Sequence, residues 1–192
     1  MLIGVLALQG DFAAHERVLA RLGATTRRVR TPADLAGLAG LVIPGGESTT
    51  MTLGIEREGL GEPLRALAAA GTPILGTCAG LIMLDREHLG IIDIKAERNA
   101  FGRQLHSFEA ELELEGLVGG PVTAVFIRAP WISEVGPAVE ILAQVDGHPV
   151  AACEGAVTVI AFHPEITGED RIHAAWLAAV GPASRPAAAT PA

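Results

Sequence analysis

Three residues are suited to covalent chemistry: one cysteine, one histidine and one glutamate. Cys78 lies in the sequence GTCAG, and His163 and Glu165 lie in FHPE, much further along the chain. A thiol becomes a strong nucleophile when a base takes its proton, and a histidine serves as that base when a carboxylate orients it. These residue types therefore indicate a Cys–His–Glu site, if the fold brings the three residues together.

The surroundings of Cys78 favour a reactive residue but leave a structural role open. It follows an apolar stretch of strand length and precedes a helical stretch, with Thr77, Ala79 and Gly80 as small neighbours. Small neighbours permit a tight turn, and N–H groups at a helix start favour a thiolate and can bind an oxyanion. The alternative is a small buried apolar residue, the usual role of a free cysteine. Cys153 has no helix after it, and we interpret it as structural.

One histidine is distinguished from the others by a nearby carboxylate. His163 comes directly after an apolar strand and Pro164 fixes the turn to Glu165, although a loop histidine beside a solvated glutamate is the alternative interpretation. The remaining histidines have no carboxylate in this arrangement. Two of them fall on predicted helices and three near turns, namely His15, His173, His88, His106 and His148.

The sequence IPGGESTT contains a second group of candidate site residues. Gly45 and Gly46 follow a predicted strand and free the backbone to direct N–H groups into a pocket, while Glu47 and Ser48 could hold a polar substrate. The sequence lacks the lysine of a phosphate-binding loop, which argues against a nucleotide. The alternative is a turn followed by a helix, with Ser48 as its N-cap.

Two arginines lie in polar segments that could contact an acidic substrate. Arg98 is part of ERNAFGRQ, and Arg128 ends the predicted strand in FIRAP. An arginine pairs well with a carboxylate through two parallel hydrogen bonds, but either residue could equally form a surface ion pair. We see no metal site, because the sequence has no Cys-x-x-Cys and no His-x-x-x-His.

The elements that must position these residues alternate in the first half of the chain. Apolar runs predict strands at residues 3–8, 25–29, 40–43 and 73–76, and helical spacing predicts helices at residues 11–22, 48–57, 62–70 and 78–84. Such alternation is typical of a parallel sheet covered on both faces, with ligands at the carboxyl ends of its strands. We therefore expect an α/β fold, a flavodoxin-like three-layer sandwich.

The second half predicts antiparallel strands added to the sheet edge, followed by a last helix. Short alternating runs with glycine turns occupy residues 106–116, 122–127, 140–145, 148–153 and 156–162, and a helical stretch occupies residues 171–180. We expect a single domain over residues 1–181 and a disordered Pro/Ala-rich tail over residues 182–192.

Composition narrows the class of partner. The chain has 192 residues, a net charge of −8 and 49% hydrophobic residues, of which few are aromatic. No basic cluster stands out, so nucleic acids and anionic membranes are poor partners. No apolar run reaches membrane-span length, and the N-terminus has neither a basic start nor a cleavage site. Two distant cysteines do not form a disulfide framework, so we expect a reducing cytoplasm.

Six motifs in order resemble a known enzyme family. PGGEST, GTCAG and HPE on this scaffold are similar to class I glutamine amidotransferase domains. LALQGDF, PGGESTT, GTCAGLI, RNAFGRQ, FIRAP and FHPE together resemble the glutaminase subunits of pyridoxal 5′-phosphate synthases. The resemblance extends from about residue 3 to residue 171.

The resemblance implies hydrolysis of L-glutamine to glutamate and ammonia, without a cofactor. Cys78 would attack the side-chain amide to form a thioester, His163 would carry the proton, and Glu165 would orient His163. The oxyanion hole would be lined by the N–H groups of Gly45, Gly46 and Ala79. The glutamine-binding positions would be Gly46, Glu47, Ser48, Arg98, Ile127 and Arg128.

The resemblance also implies a partner. The ammonia would pass to a separate synthase subunit that makes pyridoxal 5′-phosphate, and the glutaminase would be poorly active until that subunit docks. Gln9, in the LQGD loop, would take part in the coupling. We accordingly expect the loop at residues 44–46 to be badly oriented for catalysis in the isolated chain.

The sequence departs from the family at one place and leaves three alternatives open. The segment LDREHLG is shorter than the loop of relatives, which affects local shape but no motif. One alternative is a stress-related hydrolase or chaperone of the same flavodoxin-like architecture, which would explain Cys78 but not the distant HPE or the arginine motifs. A glutaminase that serves another synthase, such as the histidine-pathway one, would have the same chemistry and a different partner. A non-catalytic scaffold subunit would have lost a member of the triad, whereas Cys78, His163 and Glu165 are all present.

Overall fold

The computed structural model describes residues 1–98 and 107–181. Within these ranges the strands are β1 (Leu2–Leu6), β2 (Thr25–Val29), β3 (Gly40–Ile43), β4 (Ile74–Thr77), β5 (Ile94–Glu97), β6 (Ser107–Leu112), β7 (Val122–Ile127), β8 (Trp131–Val135), β9 (Glu140–Val145), β10 (His148–Glu154) and β11 (Val157–Ile160). The helices are α1 (Phe12–Arg21), α2 (Ser48–Arg57), α3 (Gly61–Ala69), α4 (Ala79–Leu84) and α5 (Arg171–Val180). A 3₁₀ turn covers Pro32–Leu35.

Seven strands form the central sheet, in the order β2-β1-β3-β4-β11-β10-β9. The first five are parallel to their neighbours, and β10 and β9 are antiparallel additions at one edge. β3 and β4 are fully buried apolar runs, as expected for central strands of a sheet covered on both faces.

Side chains alternate between the two faces of the sheet along each strand, and the central strands are apolar on both faces. Helices therefore cover both faces. One face packs against α1 and α5, and its core contains Ile3, Val5, Val42, Leu75, Leu19, Trp176, Leu177 and Val180. The opposite face packs against α2, α3 and α4, and includes Leu41, Ile43, Ile74, Met51, Leu64 and Leu81. The expected α/β three-layer architecture is thus confirmed.

The second half differs from the prediction in two respects. β11 lies inside the sheet and runs parallel to β4, although the sequence pattern groups it with the antiparallel edge strands. β6 pairs with β7, and β5 pairs with β8, in separate two-stranded sheets. Strands β5 and β8 were not predicted. Alternation along a strand reveals its buried face but not its partner, so the sequence could not assign these pairings.

Three features of the chain complete the description. Among the described helices, none combines the length and the apolar composition that a membrane span requires. The expected tail at residues 182–192 lies outside the described residues, and so do residues 99–104 of the ERNAFGRQ motif.

Candidate active site

The parallel pairing of β4 with β11 brings Cys78 and His163 to the same edge of the sheet. Thr77 is in register with Ile160, and the N–H of Cys78 donates to the carbonyl of Ile160 over 2.8 Å. His163 follows the end of β11 by only three residues, and its N–H donates to the carbonyl of Val125. The predicted nucleophile and base therefore meet because two distant segments are neighbouring strands.

Cys78 occupies a strained turn between β4 and α4. Its backbone has φ 48° and ψ −106°, a conformation that non-glycine residues rarely adopt and that is often found at functional sites. The side chain is 6% exposed, and Sγ lies 3.9 Å from the carbonyl oxygen of Ile127. This is the geometry of a nucleophile presented on a sharp strand-to-helix turn.

His163 and Glu165 are joined by a buried hydrogen bond. His163 Nδ1 lies 2.7 Å from Glu165 Oε1, and both side chains are nearly inaccessible to solvent. Burial by itself would lower the pKa of His163, but the interactions with the sulfur of Cys78 and the carboxylate of Glu165 outweigh it and raise the pKa to about 10. The site therefore favours the imidazolium that forms when His163 takes a proton from the thiol.

Gly45 lies directly against the side chains of Cys78 and His163. A Cβ atom added to Gly45 would come within 2.5 Å of His163 Cε1 and 3.2 Å of Cys78 Cβ. His163 Nε2 has no hydrogen-bond partner of good geometry among the described residues, although the sulfur of Cys78 is near enough to raise the pKa of His163. The nitrogen that would accept the thiol proton is therefore not engaged elsewhere.

The peptide groups of Gly45 are not aimed at the reaction centre. Its N–H donates to Thr77 Oγ1 over 3.0 Å, and its carbonyl accepts a hydrogen bond from the N–H of Asp11. In this conformation the N–H of Gly45 is therefore bonded to a buried acceptor, and the assignment of Gly45 as an oxyanion donor stays a prediction. The orientation of residues 44–46 with and without a partner stays a prediction.

A small cavity of about 140 Å³ lies beside Cys78. Its lining contains every residue that the family resemblance places at a glutamine-binding position, namely Gly46, Glu47, Ser48, Arg98, Ile127 and Arg128, together with Cys78 and Ala79. Ile82 also lines it and was not predicted, although it lies one helical turn after Cys78. Two arginines and a thiol in one cavity suit a ligand with an acidic group and an electrophilic carbon.

Three larger cavities among the described residues have neither a cysteine nor two arginines in their lining. One of about 460 Å³ lies at the amino ends of β4 and β11, opposite the catalytic edge, and its lining includes Leu75, Leu142 and Trp176 but neither cysteine nor histidine. Volume alone therefore does not identify the site.

The N-cap of α2 is Glu47, not Ser48 as the sequence suggested. The Glu47 carboxylate accepts hydrogen bonds from the N–H groups of Thr49 and Thr50 and from the hydroxyl of Thr50. These bonds, above all the one from the Thr50 hydroxyl, lower the pKa of Glu47 to about 2. The carboxylate therefore fixes the start of the helix beside the cavity, and Ser48 is the first helical residue.

Arg98 is held by a chain of contacts that the sequence did not reveal. Asp85 is fully buried, and its Oδ1 lies 2.7 Å from His88 Nδ1. His88 Nε2 lies 3.2 Å from Arg98 Nη2. The Nδ1–H of His88 donates a hydrogen bond to the carboxylate, which leaves the lone pair of Nε2 to accept one from the guanidinium. The short LDREHLG segment thus supports a wall of the cavity.

Two other histidines are buried behind the triad, although the sequence marks them only as helical residues. His15 Nδ1 lies 2.9 Å from His173 Nε2, and both side chains are fully buried. Burial lowers the pKa of His15 well below its usual value, and the charges of His173 and His163 act in the same direction. Burial also lowers the pKa of His173 to about 4, although Asp170 opposes the change.

The buried histidines predict a loss of stability in mild acid. In the unfolded chain His173 binds a proton as pH falls below 6.5, whereas in the folded chain it stays neutral down to about pH 4, its lowered pKa. Protonation therefore stabilises the unfolded chain more than the folded one, and the free energy of unfolding falls as pH falls from 6.5 to 4. We expect the free energy of unfolding to fall by about 2 kcal/mol between pH 6.5 and pH 5 from His173. Urea unfolding at the two pH values measures it.

A variant separates this effect from general acid sensitivity. In His173→Gln the fall between pH 6.5 and pH 5 should shrink by most of that amount, whereas in His148→Gln, on a half-buried position of β10, it should persist. Equal stability of the wild-type chain at both pH values would contradict the prediction.

Comparison with known proteins assigns the family. A model of the SNO glutamine amidotransferase family matches residues 5–180. The chain belongs to this family. The SNO match includes the strained cysteine, the His–Glu pair and the residues of the cavity.

Individual relatives support the same assignment. The chain is 51% identical to "Pyridoxal 5'-phosphate synthase subunit PdxT" of Acidothermus cellulolyticus, with 95% of each chain covered. It is 50% identical to the protein of the same name from Mycolicibacterium vanbaalenii, with 93% of this chain and 97% of that one covered. A solved structure, described as a crystal structure of glutamine amidotransferase, matches with a TM-score of 0.89 at 42% identity, covering 94% of this chain and 99% of the other.

Proposed function

We propose that this chain is the glutaminase subunit of a pyridoxal 5′-phosphate synthase and hydrolyses L-glutamine to L-glutamate and ammonia. The observation that carries the proposal is the meeting of Cys78 with the His163–Glu165 pair, at the ends of adjacent strands and beside a cavity with two arginines. Membership of the SNO family and the names of the relatives support it.

The first half-reaction forms a thioester. His163 Nε2 takes the proton of the Cys78 thiol, and Sγ attacks the side-chain amide carbon of glutamine. The resulting oxyanion would be held by N–H groups of Ala79 and Gly46, and by Gly45 after its loop reorients. The tetrahedral intermediate collapses when His163 gives its proton to the amide nitrogen, so the C–N bond breaks and ammonia leaves.

The second half-reaction releases glutamate. His163 takes a proton from a water molecule, the hydroxide attacks the thioester carbon, and the C–S bond breaks as the sulfur regains a proton from His163. Glu165 holds the imidazole in the required orientation through both halves.

The cavity suggests how glutamine is oriented. We assign its α-carboxylate to Arg98 and Arg128, because a guanidinium matches a carboxylate in charge and geometry. Gly46, Glu47, Ser48 and Ile127 complete the binding positions, with backbone groups as the main polar contacts because the Glu47 carboxylate caps α2.

A synthase subunit is the proposed recipient of the ammonia. The relatives carry the name of a synthase subunit, which favours this partner over a histidine-pathway synthase. The Gly45 N–H bonded to Thr77 supports a resting state that docking would change. Gln9 Oε1 accepts the N–H of Glu47 over 2.6 Å, which places the LQGD loop in contact with the glycine loop. We place the complex in the cytoplasm because both cysteines are free, as is usual in a reducing compartment.

The test is glutamate release from L-glutamine by the chain alone and with the synthase subunit of the same organism. We expect slow release alone and a large increase on mixing. A rate that the synthase does not change would move the chain to another pathway. No release in either case would make the scaffold alternative the better interpretation.

The series of contacts that links Asp85 to His88 and His88 to Arg98 predicts an effect on the affinity for glutamine. His88→Leu removes the acceptor that orients the guanidinium, so we expect the KM for glutamine to rise roughly 10- to 100-fold, the cost of losing one hydrogen bond to a charged group. The kcat should change by less than about threefold, because Arg98 does not touch the reacting atoms. Saturation curves measure both constants.

His148→Leu is the matched control for this prediction. His148 stacks on Trp131 and does not line the cavity, so its replacement should leave KM unchanged. A KM of the His88 variant equal to that of the wild type would contradict the role of His88.

A further inference from the structure

The two carboxylate oxygens of Glu165 have different surroundings. Oε1 bonds to His163 Nδ1, whereas Oε2 is buried and has no hydrogen-bond partner of good geometry among the described residues. His15 Nε2 lies 3.5 Å from Oε2. A buried carboxylate oxygen is costly unless a donor faces it, so the proton on His15 decides whether this contact stabilises the triad.

The hydrogen bonds around His15 select one arrangement of protons. His15 Nε2 also lies 3.1 Å from Thr77 Oγ1, and Nδ1 lies 2.9 Å from His173 Nε2. With the His15 proton on Nε2, an N–H faces Thr77 and Glu165, and His173 donates its own Nε2–H to His15 Nδ1. The opposite arrangement would turn a lone pair of His15 toward the carboxylate.

The surroundings of His173, the other member of the His15–His173 pair, favour the same arrangement of protons. His173 Nδ1 is buried without a hydrogen-bond partner in the part of the chain that the structure describes. A buried N–H without an acceptor is rarer in proteins than an acceptor without a donor. The proton of His173 therefore belongs on Nε2, where His15 accepts it.

We propose that His15 is a positioning residue for the triad, which holds Glu165 through its Nε2–H while His173 fixes the tautomer of His15. The proposal rests on the proposed function, because it assigns to Glu165 the task of orienting His163. His15 does not line the cavity, so it acts on the site through Glu165 and Thr77.

The same N–H links the triad to the glycine loop. Thr77 Oγ1 accepts both the N–H of Gly45 and the N–H of His15, which fills its two lone pairs. When Gly45 turns its N–H toward an oxyanion, the buried hydroxyl keeps the bond from His15. His15 therefore keeps a hydrogen bond to the Thr77 hydroxyl after Gly45 has left it, and also faces the Glu165 carboxylate.

Two variants of His15, assayed in the complex with the synthase subunit, test the proposal. His15→Leu removes the donor, and we expect kcat to fall roughly 10- to 100-fold with KM within about threefold, as for other residues that orient a catalytic group. His15→Gln can return an amide N–H to the position of Nε2 and should recover kcat to within about fivefold of wild type. Val18→Ala, a buried change one turn along α1, controls for loss of packing and should leave kcat unchanged.

Each outcome bears on the proposal. Wild-type kcat in His15→Leu would overturn it, and so would a His15→Gln variant as slow as His15→Leu, because packing rather than the N–H would then be responsible. A wild-type complex that releases no glutamate would instead contradict the proposed function.

A measurement on the unmodified chain decides the proton positions even if a variant fails to fold. Long-range ¹H–¹⁵N spectra of the ¹⁵N-labelled protein at pH 7 distinguish the two neutral tautomers of each histidine. We expect both His15 and His173 to carry the proton on Nε2. A proton on Nδ1 of His15 would overturn the proposal whatever the activity of the chain.

Discussion

Replacement of Cys78 by alanine is expected to abolish glutamate release, with a loss of roughly 10⁴-fold or more. The Sγ atom forms the thioester, and no other described residue that lines the cavity carries a thiol. The strained backbone at Cys78 accommodates alanine as well as cysteine, so we expect the variant to fold. Glutamate release in the presence of the synthase subunit measures the loss.

Cys153→Ala is the matched control for Cys78→Ala. Cys153 lies on β10, away from the cavity, and burial is the main cause that raises the pKa of its thiol. A raised pKa leaves little thiolate on Cys153 at neutral pH, so iodoacetamide should inactivate the enzyme by alkylating Cys78. The wild-type chain and Cys153→Ala should therefore lose activity at the same rate. Turnover that survives in Cys78→Ala, or disappears in Cys153→Ala, would contradict the assigned nucleophile.

Gly80→Ala is expected to destabilise the fold by about 3 kcal/mol or more. Gly80 packs α4 against β3, and an added Cβ would overlap the carbonyl oxygen of Ile43 and lie 2.9 Å from its carbonyl carbon. The obstacle is backbone in a fully buried strand, so it cannot move aside as a flexible side chain would. Urea unfolding measures the loss, and the turn that presents Cys78 should be displaced with α4.

Gly54→Ala provides the matched control on α2. There the nearest atom to an added Cβ is the flexible end of Leu8, at 3.2 Å. Alanine also has the higher helix propensity, by about 1 kcal/mol, so the net change should be within about 1 kcal/mol of zero. Equal stability of Gly80→Ala and Gly54→Ala would show that α4 can move away from β3.

The predictions made from sequence succeeded where the chemistry is local. The apolar runs of β3 and β4 and the spacing of α1 follow from side chains that are close in sequence, and periodicity reports them directly. The sequence offers Ser48 as an alternative N-cap of α2, whereas the structure has Glu47 there, and both are acceptor residues at adjacent positions. Only the backbone geometry shows which carboxylate or hydroxyl reaches the free N–H groups.

The network behind the triad was beyond the reach of sequence. His15, Thr77, Glu165 and His173 come from four separate elements, and nothing in the local sequence of α1 distinguishes a buried hydrogen-bonded histidine from an exposed one. The contact of His88 with Arg98 is similar, since it depends on how the LDREHLG segment folds back against β5. Such contacts depend on tertiary packing, which a single sequence does not report.

The sequence by itself determined the alternating α/β scaffold, the reactive residue types and the glycine loop, because each depends on neighbours a few positions apart. The tertiary structure decided that β11 lies beside β4, and this single pairing places His163 next to Cys78. It also decided that the Gly45 N–H is bonded to Thr77 rather than open to a substrate. Strand order and hydrogen-bond partners are set by the packing of the whole chain, so only the folded molecule reveals them.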